Sequence, residues 1–213
     1  MQMKDKIHGL FYNIIAKIYN VVISVYFNKE ETNPRNVTAK LMRDKSGKLL
    51  EICAGTCENS IKIAKYNSNI KITATDRSTK MLDVARRSIM KNNISNVDLQ
   101  VMDATDLELE DKSFDVAVIS LTLHELEETT QQKVLLEIHR VLKDSGMFIV
   151  IEWDRPKTFG RKIKFSFLEL LEPKSYKRLM QQDMNNYFNK AGFDMEEAIP
   201  CDYSKVYKLK KHN

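Results

Sequence analysis

Cysteine is scarce in this chain of 213 residues, which contains only Cys53, Cys57 and Cys201. Three scattered thiols argue against the disulfide framework of a small secreted domain and favour a protein of the reducing cytoplasm. Three thiolates could hold a soft metal ion, but no C-x-x-C pair or neighbouring histidine completes such a site. We therefore expect no metal, and we expect the cysteines to pack as small hydrophobic side chains.

Long hydrophobic runs are also absent. The most apolar stretch extends from Gly9 to Phe27 and contains a single charge, that of Lys17. Its apolar side chains recur at helical spacing, and a polar stripe lies on the opposite face, formed by Asn13, Lys17, Asn20 and Ser24. This pattern predicts an amphipathic helix rather than a membrane span or a cleaved signal peptide.

Charge is distributed unevenly along the chain. Residues 49–154 carry 12 basic and 18 acidic side chains, whereas the two flanks carry 22 basic and 11 acidic ones. Basic flanks are suited to an anionic membrane surface or an acidic acceptor. A lysine-rich surface that only keeps the protein soluble is the alternative.

The central part of the chain alternates strand-like and helical patterns. Short apolar runs predict strands over 48–53, 70–75, 97–102, 114–120 and 146–152. Helical patterns separate several of them, notably over 78–91 and 127–142. Such alternation predicts an α/β protein with a doubly wound, mostly parallel sheet.

The C-terminal part departs from this rhythm. A helix is predicted over 174–190, and two further strands over 193–199 and 203–209 are joined by a short connection that favours an antiparallel hairpin. The sequence thus predicts one domain with a seven-stranded sheet. We divide it into a helical cap over 1–47, a core over 48–154, and an acceptor-side insert with a closing hairpin over 155–213.

The candidate binding residues follow the predicted strands, where open α/β sheets bind ligands. Small residues after the first strand would let the backbone approach a ligand: Cys53, Ala54, Gly55 and Thr56. Asp76 follows the second strand at the spacing from that loop at which an acid reaches a ribose diol. Asp103 and Ala104 follow the third strand and would hold an adenine. The alternative for Asp76, Asp103 and Glu51 is that each carboxylate caps the next helix.

The fourth predicted strand delivers further candidates to the same edge. An imidazole ordinarily titrates near neutrality, so His124, or else Glu125, could take a proton from a reacting group. A structural role, or a role in orienting the substrate, is the alternative for both residues. Arg77 and Met81 follow the ribose acid, where they would flank the adenine or only pack.

Five segments resemble motifs of the class I S-adenosylmethionine-dependent methyltransferases: LEICAGTC at 50–57, SFDV at 113–116, EIHRVLKDSG at 137–146, KAGF at 190–193 and YNIIAKIYN at 12–20. The resemblance covers nearly the whole chain. It is strongest to the branch of the ubiquinone and menaquinone C-methyltransferases and of the small-molecule or phospholipid N-methyltransferases. The implied fold is the Rossmann-like methyltransferase fold, and the implied cofactor is S-adenosylmethionine.

The resemblance also implies roles for individual residues. Glu51 and the backbone of the first loop would face the methionine portion of the cofactor, Asp76 the ribose, and Asp103 with Ala104 the adenine. Leu121 would lie beside the sulfonium, and Tyr19 would belong to a lid helix that closes over the cofactor. Two cysteines, Cys53 and Cys57, stand where this family usually has glycine. We expect them to fit only if their backbone avoids positive φ.

The implied acceptor is a small or lipid-like molecule, and a lipid-like acceptor implies peripheral contact with a membrane. Aromatic and aliphatic residues could shape an apolar acceptor pocket or belong to the core: Tyr12, Tyr19, Phe165, Phe167 and Leu168. A nucleic-acid substrate is disfavoured because basic and aromatic residues do not interleave. Two alternatives stay open. A nicotinamide-dependent oxidoreductase would require a G-x-G-x-x-G fingerprint, which is missing, and the fold could also bind the cofactor without turnover.

Overall fold

Seven strands of the described chain form a single sheet. The computed structural model describes residues 25–156, 158–169 and 173–212. The strands lie in the order β3-β2-β1-β4-β5-β7-β6, with these bounds: Gly47–Ile52 (β1), Ile70–Asp76 (β2), Val97–Val101 (β3), Phe114–Ser120 (β4), Leu142–Trp153 (β5), Phe193–Pro200 (β6) and Ser204–Lys211 (β7). Strands β1 to β5 are parallel, and β7 is antiparallel to both β5 and β6. The predicted mostly parallel sheet with a C-terminal antiparallel hairpin is confirmed.

Helices connect the strands, as the alternating pattern predicts. Their bounds are Pro34–Leu41 (α1), Glu58–Tyr66 (α2), Thr79–Lys91 (α3), Glu128–Val141 (α4), Phe159–Glu169 (α5), Lys174–Met180 (α6) and Met184–Lys190 (α7). A short 3₁₀ turn, Leu123–Glu125, follows β4. Helix α3 begins where Ser78 accepts a hydrogen bond from the Met81 backbone N–H (3.3 Å), since serine satisfies an otherwise unpaired donor of the first turn.

The prediction of one helix over 174–190 is wrong. Helix α6 ends at Met180, and α7 begins at Met184. The break has a local cause, because the Asp183 carboxylate accepts a hydrogen bond from the Asn186 backbone N–H (3.0 Å) and so caps a new helix. Aspartate is favoured at this capping position and is a poor residue for a helix interior.

The central strands are buried on both faces of the sheet. Leu49, Val118 and Ile149 belong to the cluster that packs under α1 and α2. Leu50 and Ile119 point to the other face and pack against α4 and α7. Burying each such side chain contributes about 1.5–3 kcal/mol, so the sheet holds the ends of its strands in fixed relative positions.

The amphipathic helix predicted over 9–27 lies outside the described residues except for its last positions. Tyr26 and Phe27 are buried, and their rings lie 5.9 Å and 5.7 Å from that of Trp153. This contact fixes the chain before α1 against the end of β5. Among the described residues, no helix combines the length and the apolar character needed to cross a membrane.

Candidate active site

The loop after β1 adopts an unusual backbone conformation. Cys53, Gly55 and Cys57 have φ values of 54°, 54° and 59°. The expectation that both cysteines avoid positive φ is therefore wrong, and each pays the steric cost of about 1–2 kcal/mol that a side chain meets there. The loop closes on itself, because the Cys57 N–H donates to the Ala54 carbonyl (2.8 Å). A Cβ atom added at Gly55 would meet no heavy atom within 4 Å, so space is open beside this backbone.

Asp76, the last residue of β2, joins this loop to the start of α3. One carboxylate oxygen accepts a hydrogen bond from the Gly55 N–H (2.8 Å), and the other accepts one from the Ser78 N–H (2.8 Å). Asp76 therefore contributes to the start of α3 through the Ser78 N–H, as the helix-capping alternative predicted, but its other oxygen binds the first loop. A carboxylate has about four lone-pair sites, so Asp76 can still accept further hydrogen bonds from a ligand.

Asp103 lies just beyond β3, next to the end of β2. Its carboxylate accepts hydrogen bonds from the backbone N–H (2.8 Å) and the hydroxyl (2.7 Å) of Thr105. These two bonds lower the pKa of Asp103, with a further contribution from the positive charge of Arg77. Ala104 follows and is half-buried, whereas Asp103 and Arg77 are exposed. Asp103 is therefore an ionised acceptor that a ligand can reach.

Glu51 differs from the other two acids because it is 2% exposed and lies beneath the start of α2. Its carboxylate accepts hydrogen bonds from the Asn59 side-chain amide (3.0 Å), from the Ser60 N–H (3.0 Å) and from the Ser60 hydroxyl. Burial raises the pKa of Glu51, although these donors oppose the rise. The amide oxygen of Asn59 is buried and has no hydrogen-bond partner.

The cysteine thiols of the first loop are held neutral by burial and by nearby acids. Burial, followed by the negative charges of Asp76, Glu125 and Asp103, raises the pKa of the Cys53 thiol to about 12, against the positive charge of Arg77. The thiol is therefore neutral and unreactive near pH 7. The charges of acids that lie at or beyond the ends of β2, β3 and β4 thus act on the first loop. The buried Cys57 has a raised pKa from burial and from Glu51 and Asp76.

The end of β4 brings Leu121 to this edge of the sheet. Leu121 is 4% exposed and has a φ of 49°, and its N–H donates to the Ile151 carbonyl of β5 (2.8 Å). A leucine in the left-handed region is strained. Thr56 is buried and Met81 half-buried, the latter within the first turn of α3.

His124 is buried in the turn after β4 and is paired with an acid that the sequence analysis missed. Its Nδ1 lies 2.5 Å from a carboxylate oxygen of Glu152, and both side chains are 2% exposed. Its Nε2 lies 4.0 Å from Glu125, whose side chain is 55% exposed. The sequence does contain one signal for Glu152, because it is an acid within the apolar run of β5. Its partner His124 lies 28 residues away, and the contact between them is found only from the pairing of β4 with β5.

Aromatic rings surround this pair. The His124 ring lies 6.0 Å from that of Tyr176 and 6.5 Å from that of Trp153. Phe165, predicted to line an acceptor pocket or the core, is buried and packs 6.0 Å from Trp153 and 6.1 Å from Tyr203. Tyr12 and Tyr19, together with the side chains of 167 and 168, lie outside the described residues.

A concave region lies at the opposite, amino-end edge of the strands. This groove of about 800 Å³ is lined by residues such as Lys48, Lys71, Asn96 and Phe114. None of the predicted site residues lines this groove. Its lining mixes cations, acids and amides, so it does not indicate a ligand of one charge or type. Within the described part of the chain, no cluster of three or more histidine, cysteine or acidic side chains has the arrangement of a metal site.

A known protein family and several known proteins are similar to this chain. The chain matches the family model described as the ubiE/COQ5 methyltransferase family over residues 1–194. It is 29% identical over 184 residues to the demethylmenaquinone methyltransferase of Bacillus subtilis strain 168, which covers 82% of this chain and 78% of that protein. It is 33% identical over 165 residues to the enzyme of the same name from Listeria welshimeri, covering 76% and 69%.

A solved structure agrees in fold. The S-adenosylmethionine-dependent methyltransferase from Aquifex aeolicus superposes with a TM-score of 0.67 at 18% identity, covering 84% of this chain and 90% of that one. The family match does not favour the nicotinamide-dependent oxidoreductase or the non-catalytic alternative. The chain belongs to the ubiE/COQ5 methyltransferase family and is an S-adenosylmethionine-dependent methyltransferase.

Proposed function

We propose that S-adenosylmethionine binds along the carboxyl ends of β1, β2 and β3. Asp76 accepts hydrogen bonds from the ribose hydroxyls, Asp103 accepts one from the adenine amine, and the Ala104 N–H donates to the adenine ring. The backbone from Cys53 to Thr56 faces the methionine portion. The observation that carries this proposal is the position of Asp76, which accepts from the Gly55 N–H of the first loop (2.8 Å) and is paired with Val101, two residues before Asp103.

The residues beside the first loop fit the charge of this cofactor. Glu51 is a buried carboxylate, and the unpartnered Asn59 amide oxygen belongs to the residue that donates to it. A cation relieves the desolvation of a buried carboxylate, and an ammonium donates hydrogen bonds to both types of oxygen. Together they fit the ammonium of the cofactor's methionine portion.

Four further residues complete the proposed cofactor site. Arg77 and Met81 flank the adenine from the start of α3, and Leu121 packs beside the sulfonium. Tyr19, which lies outside the described residues, closes over the cofactor from the N-terminal cap. His124 and Glu125 stand on the acceptor side.

The acceptor we propose is the reduced, hydroxylated ring of a quinone with a lipid-like tail. Two related enzymes are named demethylmenaquinone methyltransferases, and aromatic rings pack around His124 and Trp153 at the proposed acceptor side. The carbons of an oxidised quinone are electrophilic, so only its hydroquinone form can act as the nucleophile.

The reaction needs alignment and the movement of one proton. The cofactor supplies a methyl group that is bonded to a sulfonium sulfur. When that bond breaks, the sulfur keeps the electron pair, and the rest of the cofactor leaves as a neutral thioether. The ring carbon forms the new bond to the methyl group and loses its own hydrogen to water as a proton. His124 takes the neighbouring hydroxyl proton during bond formation and returns it to that oxygen afterwards. The buried surroundings of His124 hold the reacting atoms in line.

An acceptor panel tests this assignment. Purified protein is incubated with S-adenosylmethionine and one of three acceptors: a reduced demethylated naphthoquinone, a catechol or phosphatidylethanolamine. Mass spectrometry follows S-adenosylhomocysteine and the methylated product. We expect carbon methylation of the naphthoquinol alone. Methylation of the catechol or the lipid amine, or no product with the naphthoquinol, would contradict the assignment.

We also propose that the enzyme reaches its acceptor by contacting an anionic membrane surface through α5. Phe159 and Ile163 lie one helical turn apart and are 80% and 51% exposed, and Lys162 is exposed between them. Residues 155–169 carry five basic side chains and one acidic side chain. Exposed apolar residues among cations fit the headgroup region of an anionic bilayer.

Vesicle sedimentation tests the membrane contact. The protein is expected to bind vesicles that contain phosphatidylglycerol and to remain unbound with phosphatidylcholine alone. Replacing Phe159 and Ile163 by serine should abolish this binding. Leu136→Ser is the matched control, because Leu136 is 64% exposed on α4 and its loss should not change binding. Equal binding to both kinds of vesicle, or full binding by the double variant, would contradict the role of α5.

A further inference from the structure

Arg35, in the first turn of α1, carries a mostly buried guanidinium whose Nε–H has no acceptor within the described chain. Its side chain is 19% exposed, and its Nε is buried with no hydrogen-bond partner among the described residues. The Nη1 atom lies 3.9 Å from a carboxylate oxygen of Glu58, which is too far for a hydrogen bond. Burying a cation without acceptors is unfavourable, so an acceptor on a ligand would stabilise this arrangement.

The start of α1 fixes the position of this side chain. Asn33 caps the helix by accepting from the Arg35 N–H (2.9 Å), and its amide group donates to the Phe27 carbonyl (2.8 Å). The Arg35 guanidinium carbon lies 5.8 Å from the centre of the Phe27 ring. An aromatic ring attracts a cation but is only a weak hydrogen-bond acceptor. The donors of Arg35 therefore still need an oxygen atom.

Arg35 lies at the same edge of the sheet as the first loop. Glu58, its ion-pair partner, is the first residue of α2 and follows Cys57 of that loop. Burial raises the pKa of Glu51, and the charge of Arg35 is among the effects that oppose the rise. A guanidinium, the buried carboxylate of Glu51 and the unpartnered amide oxygen of Asn59 thus lie around the beginning of α2.

The charges around the beginning of α2 indicate the class of ligand. A phosphate would meet the carboxylates of Glu51 and Glu58 beside the guanidinium, and their repulsion disfavours it. A simple amine would leave the Arg35 donors without an acceptor. A zwitterion satisfies both kinds of group, because its carboxylate accepts from Arg35 while its ammonium donates to Glu51 and Asn59. The amino-acid end of S-adenosylmethionine is such a zwitterion.

We propose that Arg35 binds the α-carboxylate of the cofactor and makes the site specific for adenosyl ligands with an intact amino-acid end. The inference rests on the proposed function, in which S-adenosylmethionine occupies the carboxyl ends of β1, β2 and β3. A guanidinium can donate two parallel hydrogen bonds to one carboxylate, which a lysine ammonium does not reproduce. Arg35 is a binding residue in this account and takes no part in the transfer of the methyl group.

Two ligands isolate the carboxylate in the unaltered protein. Calorimetric titration compares S-adenosylhomocysteine with its decarboxylated analogue, which keeps the adenosine, the sulfur and the amine. We expect S-adenosylhomocysteine to bind about 30-fold more tightly, because only its carboxylate accepts from Arg35. Equal affinities would overturn the proposal. This comparison requires no variant, so it does not depend on whether a variant folds.

Arg35→Met attributes the effect to the guanidinium. The variant should bind S-adenosylhomocysteine about 30-fold more weakly, and its affinity for the decarboxylated analogue should stay within about twofold. Arg35→Lys keeps the charge and should show the same selectivity with a loss of about 10-fold. Equal losses for both ligands would overturn the proposal, because an arginine that only supports the fold gives that result.

Arg43→Met is the control, since Arg43 is exposed just after α1 and its loss should leave both affinities unchanged. Asp76→Ala separates this inference from the proposed function. It should weaken both ligands by the same factor, because both carry the ribose. If Asp76→Ala weakened neither ligand, the proposed cofactor site would be wrong, and this inference with it. If Asp76→Ala weakened both and Arg35→Met weakened neither, only the role of Arg35 would be overturned.

Discussion

Cys53 and Cys57 place side chains where the backbone favours glycine. Both have φ values between 50° and 60°, and their hydrogen-bonded loop holds them there despite the steric cost. The strain lies next to Asp76, which fixes the middle of the loop through the Gly55 N–H. A loop held in this way keeps its backbone close to the proposed methionine portion of the cofactor.

The strain at Cys57 makes a prediction about glycine and alanine. Alanine is normally the more stabilising of the two, but at positive φ it keeps the clash that glycine avoids. We expect Cys57→Gly to have a free energy of unfolding about 1 kcal/mol higher than that of Cys57→Ala, measured by urea denaturation. Ala64→Gly within α2 is the control and should lose about 1 kcal/mol. The reverse order of the two Cys57 variants would show that the loop is unstrained.

Asp76 and Asp115 provide a matched pair of acids at opposite edges of the sheet. Asp76→Ala should weaken binding of S-adenosylhomocysteine by about 30-fold or more, since charged hydrogen bonds contribute about 1.5–3 kcal/mol each. Asp115 accepts from the Lys48 N–H (2.9 Å) and from Lys143 (2.6 Å), so Asp115→Ala should lower stability and spare affinity. Calorimetric titration measures both. Equal weakening in both variants would contradict the assignment of Asp76.

The position of a site residue could be predicted from sequence when it depends only on the end of the strand that carries the residue. Asp76 and Asp103 directly follow the strands predicted over 70–75 and 97–102, so the expected convergence at one edge could be deduced from the parallel order. Glu152 could not be found in this way, because its significance depends on contact with His124 across two strands. The backbone of Cys53 and Cys57 was mispredicted, since the surrounding loop overrides the local preference of the side chain.

At the scale of elements, α4 anchors the connection between β3 and β4. Arg140 donates to the carbonyls of Leu107 (2.8 Å) and Leu109 (2.7 Å), and Glu137 accepts from the Leu107 N–H (2.8 Å). Glu137 and Arg140 are also paired with each other at 2.7 Å. The side chains of Glu137 and Arg140 therefore satisfy backbone donors and acceptors of the irregular segment between β3 and β4.

Removal of the Glu137 charge should destabilise the fold in a pH-dependent manner. The bond to Arg140 lowers the pKa of Glu137 below its ordinary value of 4.5. A carboxyl group whose pKa is lower in the folded than in the unfolded protein stabilises the fold at pH values above its unfolded pKa. This stabilisation is lost as the pH falls through the pKa of the folded state. We expect Glu137→Gln to cost about 1–3 kcal/mol at pH 7 and to approach the unaltered protein as the pH drops below 4.5.

Urea denaturation across this pH range measures the effect. Glu127→Gln is the control, because Glu127 is 69% exposed and its pairing with Arg178 at 3.4 Å should contribute less than about 1 kcal/mol. A constant difference between Glu137→Gln and the unaltered protein at every pH would show that the charge of Glu137 is not responsible.

Element boundaries were predictable where the periodicity was long and continuous. The helices over 79–91 and 128–141 start and end within about one residue of the prediction. The division of the predicted helix over 174–190 depends on the cap at Asp183, which a helical pattern alone does not reveal. Strand β5 begins at Leu142, four residues early, because a register shift opposite Phe114 extends the pairing.

At the scale of the whole molecule, the sheet order determines where the site can form. The order reverses between β1 and β4, and the residues proposed to bind the cofactor lie beyond the carboxyl ends of the strands on this side. Alternation of strands and helices could predict the parallel core. It could not predict that β7 lies between β5 and β6, because that depends on long-range packing. The division into a cap, a core and an acceptor-side part stays a prediction.

A crystal structure with S-adenosylhomocysteine tests the central claim most directly. The account predicts the ribose within about 3 Å of the Asp76 carboxylate and the adenine beside Asp103, with the sulfur near Leu121. The account would be contradicted if the ligand bound instead in the groove near Lys48 and Lys71, at the amino ends of the same strands.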